Sequence, residues 1–194
     1  MGAGRNDMMR IERLDRPAVL PVSLAAARDH LRVVHDDDDP QISALIAAAG
    51  REFEDAAEIA LIDQTIRVIL QGWPGGERLV LPVGFVRGDP SHVQVTADGE
   101  PIDAHLITGR RPVLVLGETA PHKARVVVEY VAGFGDEPAA IPPDIQHALK
   151  DQVLTHFDFS GASPHDGKMH AARGTAGQSY AFQRALARYR GVAI

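Results

Sequence analysis

The amino-acid sequence predicts an α+β fold, in which a helical base carries an inserted antiparallel β domain and is followed by an extended C-terminal docking tail. Apolar residues recur at helical spacing in residues 22–62, which hold two N-terminal helices, and again in residues 141–159, which hold a later helix. Between them, residues 63–140 alternate between apolar and polar and are broken by short turns. Residues 1–21 are expected to form an N-terminal arm, and residues 160–194 a flexible linker with a C-terminal docking segment.

Composition excludes several classes of protein. The chain has 194 residues with 45% hydrophobic content, which suits one or two small domains with a core. It has no cysteine, so neither a disulfide framework nor a thiolate zinc site is available. No apolar run approaches the roughly 18 residues that cross a bilayer, and residues 1–10 lack the apolar stretch of a secretory signal. We therefore expect a soluble, intracellular protein with no membrane partner.

Charge is distributed unevenly along the chain. Residues 161–194 carry five basic side chains and one acid, a net of +4, and because the whole chain is −6, the other residues hold −10. A basic tail favours an acidic partner, which is either nucleic acid or an acidic protein surface. A third possibility is a terminal helix that folds onto its own acidic body. Charge alone does not choose among the three.

Two helices are predicted near the N-terminus. Ser23 is a suitable N-cap, and Leu24, Ala27 and Leu31 follow at helical spacing. Four consecutive aspartates and Pro40 then precede a second helix, from about residue 41 to residue 60, because carboxylates favour the positive end of a helix. The apolar face of this second helix is formed by Ile42, Leu45, Ile46, Ala49, Phe53 and Ala56.

The middle of the chain predicts five or six strands. Residues 64–71 alternate as a strand, residues 72–76 supply a turn, and residues 78–82 are expected to return as the second strand of a hairpin. The pair Asp98-Gly99 predicts a tight turn between strands at 92–97 and 104–108. Residues 112–116 and 125–131 are the remaining predicted strands. Connections this short favour antiparallel pairing.

A third helix and an amphipathic segment end the chain. Pro142-Pro143 suits a helix start, and apolar residues continue at helical spacing to Phe157. Residues 160–178 are rich in Gly, Ala, Ser and His and read as a linker. Beyond it, large apolar residues reappear among arginines, in a segment too short to be stable as an isolated helix and therefore suited to docking.

Four segments together resemble the head-to-tail connector, or adaptor, family of long-tailed phages, and especially its relatives in gene transfer agents. Each has an ordinary capping or turn explanation, so their order and spacing carry the resemblance, which spans about residues 22–159. The segments are Val22–Val33, the acidic lead into Ile42–Ala49, Gln64–Gly76, and Val128–Gly135 followed by Ile141–Ile145.

The resemblance implies a structural subunit with no catalytic role and no cofactor. It implies a homo-oligomeric ring, a dodecamer, seated beneath the portal protein, with a stopper or tail protein bound below. Double-stranded DNA would pass through the lumen without sequence readout. The expected location is the neck, or head-tail junction, of a phage-like particle, assembled in the bacterial cytoplasm.

The C-terminal segment is the expected portal contact. This expectation follows from composition, because the family pattern does not extend to these residues. Arginines would pair with portal carboxylates, and aromatic and aliphatic side chains would fill pockets. The residues in question are Arg173, Tyr180, Phe182, Arg184, Leu186, Arg188 and Tyr189.

Two alternatives remain open. One is another ring of the same kind of particle, a stopper or a tail terminator. The other is a small histidine-dependent hydrolase. The nine histidines show no pair at the i, i+4 spacing of a helical zinc site, and no serine lies in a nucleophile elbow, so neither a metal site nor a catalytic residue is predicted.

Overall fold

The structure is a computed structural model that describes residues 9–73, 78–86, 93–117, 123–159 and 177–190. Contacts divide the chain into two compact units. The β unit comprises Met1–Ala18 and Glu58–Asp136, and the helical unit comprises Val19–Ala57 and Glu137–Ile194. The described residues form four α-helices and eight strands, which confirms the predicted α+β class.

The helical unit contains all four helices. They are α1 (Leu24–Leu31), α2 (Asp39–Ala57), α3 (Pro143–Phe159) and α4 (Tyr180–Tyr189). As predicted, Ser23 caps α1, and its hydroxyl accepts a hydrogen bond from the Ala26 amide at 3.2 Å. The helix ends at Arg32 in the left-handed conformation.

Helix α3 is the centre of the helical unit, because it contacts each of the other three helices. Its buried side chains recur at helical spacing and pack against α2, whose own buried face includes Ile42, Ile46 and Phe53. The buried residues of α3 are Ile145, Ala148, Leu149, Gln152, Val153 and Phe157. Two stretches separated by the whole β unit therefore share one helical core.

The β unit consists of two antiparallel sheets. The larger has the strand order β1-β2-β8-β4-β5, and the smaller has the order β3-β7-β6. The strands are β1 (Met9–Arg13), β2 (Gln64–Gln71), β3 (Arg78–Val80), β4 (Gln94–Ala97), β5 (Glu100–Pro101), β6 (Ala104–Ile107), β7 (Val113–Leu116) and β8 (Arg125–Ala132).

The two sheets share one buried core. The larger sheet contributes Ile66 and Val68 from β2 and Val126 and Val128 from β8, and the smaller contributes inward residues such as Leu114. Each of these side chains alternates with a less buried neighbour along its strand. The inner faces of the sheets therefore face each other, and their outer faces point in opposite directions.

The predicted hairpin of residues 64–71 with residues 78–82 is wrong. Strand β3 pairs with β7, with Leu79 opposite Leu114, and not with β2. Strand β2 has no free edge for it, because β1 lies on one side of β2 and β8 on the other. The chain therefore crosses to the second sheet after β2.

The predicted turn at Asp98-Gly99 is confirmed, but its second strand differs from the prediction. Both residues have positive φ, 50° and 92°, as a type I′ turn requires. The strand that pairs with β4 across this turn is the short β5, whereas residues 104–107 pair with β7 in the other sheet. The described chain also has more strands than the five or six expected.

Part of the predicted N-terminal arm is a strand. Met9–Arg13 forms the edge strand β1, with Ile11 opposite Val68 of β2. Charged residues interrupt the apolar and polar alternation that would identify Met9–Arg13 as a strand from sequence. Charged side chains are common on edge strands, because they discourage pairing with other chains.

A buried tyrosine joins the two layers of the β unit. The Tyr130 hydroxyl, on β8, donates to the Val83 carbonyl at 3.0 Å and accepts from the Val83 amide at 3.2 Å. Val83 follows β3 in the chain, so this side chain satisfies both polar groups of a buried loop residue. Burial raises the pKa of the Tyr130 phenol far above its usual range.

We predict that Tyr130→Phe lowers the free energy of unfolding by about 1–3 kcal/mol, because the buried Val83 amide and carbonyl lose their partner. Urea unfolding monitored by circular dichroism measures this. The matched control is Tyr180→Phe, since Tyr180 is 76% exposed. Equal losses in both variants would contradict the prediction.

The same variant has a second readout at alkaline pH. The folded state holds the Tyr130 proton more tightly than the unfolded state, so this group's contribution is complete below a pH of about 10 and is lost as pH rises beyond it. The expected slope from this group is about 1.4 kcal/mol per pH unit. Tyr130→Phe should lack that part of the decline.

Candidate functional site

The candidate site is the C-terminal helix α4 together with its seat, which we define as the surfaces of α2 and α3 that contact it. Helix α4 begins after Ser179, whose hydroxyl accepts from the Phe182 amide at 3.1 Å. One side of the helix is buried, through Phe182, Ala185 and Leu186. The opposite side is exposed and carries its arginines.

An aromatic contact fixes α4 in its seat. Phe182 is fully buried, and its ring packs edge-on against the Phe53 ring of α2 with centroids 5.3 Å apart. The Tyr189 ring also packs against Phe53, at 6.5 Å. Edge-to-face pairs of this kind add about 0.5–1.5 kcal/mol to the benefit of burying the rings.

A buried amide fixes the residues just before α4. Gln152 of α3 is fully buried, and its Oε1 accepts from the Ser179 amide at 2.8 Å. Its Nε2 lies 3.3 Å from the Gly177 carbonyl, 3.2 Å from His156 Nε2 and 3.5 Å from Glu52 Oε2. An unsatisfied buried amide is costly, so Gln152 favours the state in which residues 177–179 lie against α3.

Asp144, in the first turn of α3, holds the C-terminal end of α4. Its Oδ1 accepts from the Tyr189 hydroxyl at 3.0 Å, and its Oδ2 lies 3.2 Å from Arg188 Nη1. The Arg188 side chain is largely exposed, so its ion pair adds at most about 1 kcal/mol. The specificity of the seat therefore rests on Phe53 and Gln152 more than on charge.

The structure brings most of the predicted portal-binding residues together on one helix. Phe182 and Leu186 are buried against the helical unit, and Tyr189 is half-buried. Tyr180, Arg184 and Arg188 are exposed, and the Arg184 guanidinium lies 5.8 Å from the centroid of the Tyr180 ring. Arg173 lies outside the described residues. The charge of the C-terminal segment allowed three acidic partners: nucleic acid, another protein or the chain's own body. In this structure α4 packs against α2 and α3 of its own chain.

Sequence reasoning missed the seat. The sequence analysis does not single out Gln152, and it places Phe53 on the apolar face of the second helix without a partner. The available signal was Gln152 itself, a polar residue on the otherwise apolar face of the third helix, which indicates a buried hydrogen-bond partner. Its partners Gly177 and Ser179 lie at the far end of the predicted linker, so no local pattern identifies them.

Two histidines of the helical unit contact acidic residues of neighbouring helices. His30 Nε2 lies 3.0 Å from Asp151 Oδ1, and His156 Nε2 lies 3.2 Å from Glu52. Among the described residues, no group of three or more His, Cys, Asp or Glu side chains is placed to hold a metal ion. No helix among the described residues is long and apolar enough to span a membrane.

The combination of a helical unit with a two-sheet β unit is the fold of chains in solved structures of gene transfer agent (GTA) particles. A chain from the virion of a native GTA particle is 21% identical, with a TM-score of 0.75, and the match covers 95% of this chain and 96% of that one. A chain from the neck of an empty GTA particle computed with C6 symmetry is 22% identical, with a TM-score of 0.73 and coverage of 95% and 97%.

A third chain, from the neck of a native GTA particle computed with C12 symmetry, is 22% identical with a TM-score of 0.72 and the same coverage of 95% and 97%. No model of a known protein family matches this chain, and no curated protein sequence matches it. At this identity the similarity shows the fold, and it confirms at that level the resemblance inferred from the sequence.

We predict that Phe182→Ala releases α4 from its seat, because truncating a buried phenylalanine costs about 3–5 kcal/mol. Amide hydrogen exchange should become faster in residues 180–189 while α2 and α3 keep their protection. Tyr180→Ala, on the exposed side of the same helix, should leave this exchange unchanged. Unaltered exchange in Phe182→Ala would show that the aromatic contact does not hold the helix.

Proposed function

We propose that this chain is a structural subunit of a particle neck, a head-to-tail connector (adaptor) that forms a ring between the portal and the tail or stopper. The observation that carries the proposal is the fold similarity to chains from GTA particles and their necks, over 95% of this chain. Similarity over the whole chain matters here, because it includes both units and not merely a common β motif. The proposed location is the head-tail junction of a phage-like particle assembled in the bacterial cytoplasm.

A ring of twelve copies is the proposed assembly. The similar chains come from necks computed with C6 and with C12 symmetry. A ring of twelve identical copies obeys both symmetries, since every C12 arrangement is also C6, whereas a ring of six does not obey C12. Closed rings of identical subunits require one repeated interface between different surfaces.

The proposed lumen passes double-stranded DNA without reading its sequence. A channel that bound phosphates strongly would slow the DNA, since each phosphate contact adds affinity. The chain outside residues 161–194 has a net charge of −10, whereas residues 161–194 carry +4. This separation of charge supports a lumen formed by the acidic body and a basic terminus directed to another protein.

The proposed portal contact is the C-terminal segment, with two roles for its residues. The exposed Tyr180, Arg184 and Arg188 would meet portal side chains, with the guanidinium groups paired to carboxylates. The buried Phe182 and Leu186, with Tyr189, would hold α4 so that this exposed side is presented as a rigid surface. Arg173 is proposed as a further contact from sequence alone. No cofactor and no catalysed reaction form part of the proposal.

Electron microscopy of the protein mixed with its portal tests the proposal. The expected result is a twelve-fold ring seated on one end of the portal ring. A ring that binds only tail proteins would favour a tail terminator, and one that binds only below another connector would favour a stopper. Absence of any ring and of any binding to the particle's proteins would contradict the neck assignment.

We predict that Arg184→Glu weakens portal binding by about tenfold or more, which corresponds to about 1.4 kcal/mol, because it replaces an attraction with a repulsion. Arg51→Glu, an exposed arginine of α2, is the matched control with the same charge change. Biolayer interferometry on immobilised portal rings measures both. Substitution is preferable to deletion of the C-terminal segment, which would also expose Phe53 and remove the partners of Gln152. Equal binding by the two variants would contradict the prediction.

A further inference from the structure

Val34 and Tyr180, both in the helical unit, are the most exposed large hydrophobic side chains among the described residues. Val34 is 83% exposed and Tyr180 is 76% exposed, and the next is Val80 at 55%. Val34 lies in residues 32–38, which we call the α1–α2 loop, and Tyr180 lies in the first turn of α4. Single exposed hydrophobic residues are ordinary, so the surroundings of these two decide whether they mark a contact.

The α1–α2 loop is held in one conformation by Arg28. Its guanidinium donates to the Val34 carbonyl at 2.9 Å and pairs with Asp39, at the start of α2, at 3.1 Å. The Asp39 amide donates to the Asp36 carbonyl at 3.1 Å, which closes the turn before α2. Val34 therefore projects from a preorganised loop, and such a loop loses little conformational entropy on binding.

The charge of this loop is negative after its basic neighbours are counted. Asp36 and Asp37 are exposed, and no basic side chain among the described residues pairs with either. Arg28 offsets one aspartate, and Arg32 is the other arginine nearby. Residues 28–39 hold these two arginines and five aspartates, which leaves a net charge of −3.

Tyr180 has basic surroundings. The Arg184 guanidinium lies 5.8 Å from the centroid of the Tyr180 ring, and no carboxylate among the described residues pairs with it. Residues 177–190 contain three arginines and no acidic residue. Because Arg188 is already paired with Asp144, the free positive charge near Tyr180 is that of Arg184.

Val34 and Tyr180 lie far apart within one copy. The α1–α2 loop leads into α2 at Asp39, whereas Gln152, which binds the residues just before α4, lies 3.5 Å from Glu52. Positions 39 to 52 span about 20 Å of helix at 1.5 Å per residue. The two exposed side chains therefore cannot cover each other within one copy.

We infer that the α1–α2 loop of one copy of this chain packs on the first two turns of α4 of the next copy. This lateral contact rests on the proposed ring. Val34 covers the Tyr180 ring, and Asp36 and Asp37 approach Arg184. Two different surfaces meet, as a head-to-tail ring requires, whereas contact between two copies of either surface would bring like charges together.

The lateral contact is compatible with portal binding by the same helix. A guanidinium carries five N–H donors, so Arg184 can pair with an aspartate of the neighbouring copy and with a portal carboxylate together. One loop on two helical turns is small beside a standard interface, which buries about 800 Å² on each partner. The contact therefore sets the position of neighbouring copies, and a portal template should promote ring closure.

Cysteine crosslinking tests the inference, because the chain has no cysteine of its own. His35→Cys and Gln183→Cys place thiols at exposed positions beside the contact and keep Val34 and Tyr180 intact. Assembled on portal rings and treated with a short bis-maleimide, a mixture of the two variants should give covalent dimers in denaturing electrophoresis. The double variant His35→Cys/Gln183→Cys should give a ladder of oligomers, and each single variant should stay monomeric.

The matched control is Gln71→Cys/Gln183→Cys, since Gln71 is an exposed polar residue of the β unit. It should give no ladder. Dimers from His35→Cys alone, or a ladder from the control, would overturn the inference. Rings visible by electron microscopy without a ladder from the test pair would overturn only this lateral contact. Absence of rings on the portal would instead contradict the proposed function, and the lateral contact with it.

Charge reversal separates the lateral role of Arg184 from its portal role. In the crosslinking variants, Asp37→Arg should lower the yield of dimers per portal-bound subunit several-fold, because two positive side chains then face each other. Adding Arg184→Glu should restore the yield, since the pair forms again with its charges exchanged. An Arg184 that meets the portal alone would give no recovery, and that result would contradict the inference.

Discussion

The pairing of β2 with β8 is the constraint on which the architecture depends. These strands lie next to each other with Gln64 opposite Ala132, although nearly the whole β unit separates them in sequence. The pairing continues beyond the strands, through the bond from the Asp63 amide to the Gly135 carbonyl at 2.8 Å. The two chain segments that lead to α2 and α3 therefore leave the β unit side by side.

Gly133 lies where these two segments approach most closely. A side chain there would place its Cβ 2.5 Å from the Asp63 Cα, and the φ of 151° is itself one that favours glycine. The close approach makes an inserted β domain compatible with a continuous helical core. A larger residue at position 133 would force these two segments apart within the β unit.

Local signals in the sequence predicted the elements but not their partners. The Ser23 cap, the Asp98-Gly99 turn and the apolar period of α3 depend on residues a few positions apart, and all three are present. The hairpin of β2 with β3 failed because the edges of β2 were already occupied by β1 and β8. The seat of α4 was not predictable for a similar reason, since the bond between Gln152 and Ser179 joins residues on opposite sides of the linker. Alternation and spacing describe one segment at a time, whereas competition for a partner involves the whole chain.

Portal binding and ring formation support each other in the proposed assembly. The proposed portal contact is helix α4, which belongs to the helical unit. A subunit held on the portal by α4 meets its neighbours at high local concentration, so a weak contact between copies becomes sufficient to close the ring. A contact too weak to join free subunits also delays ring formation until the portal has gathered them.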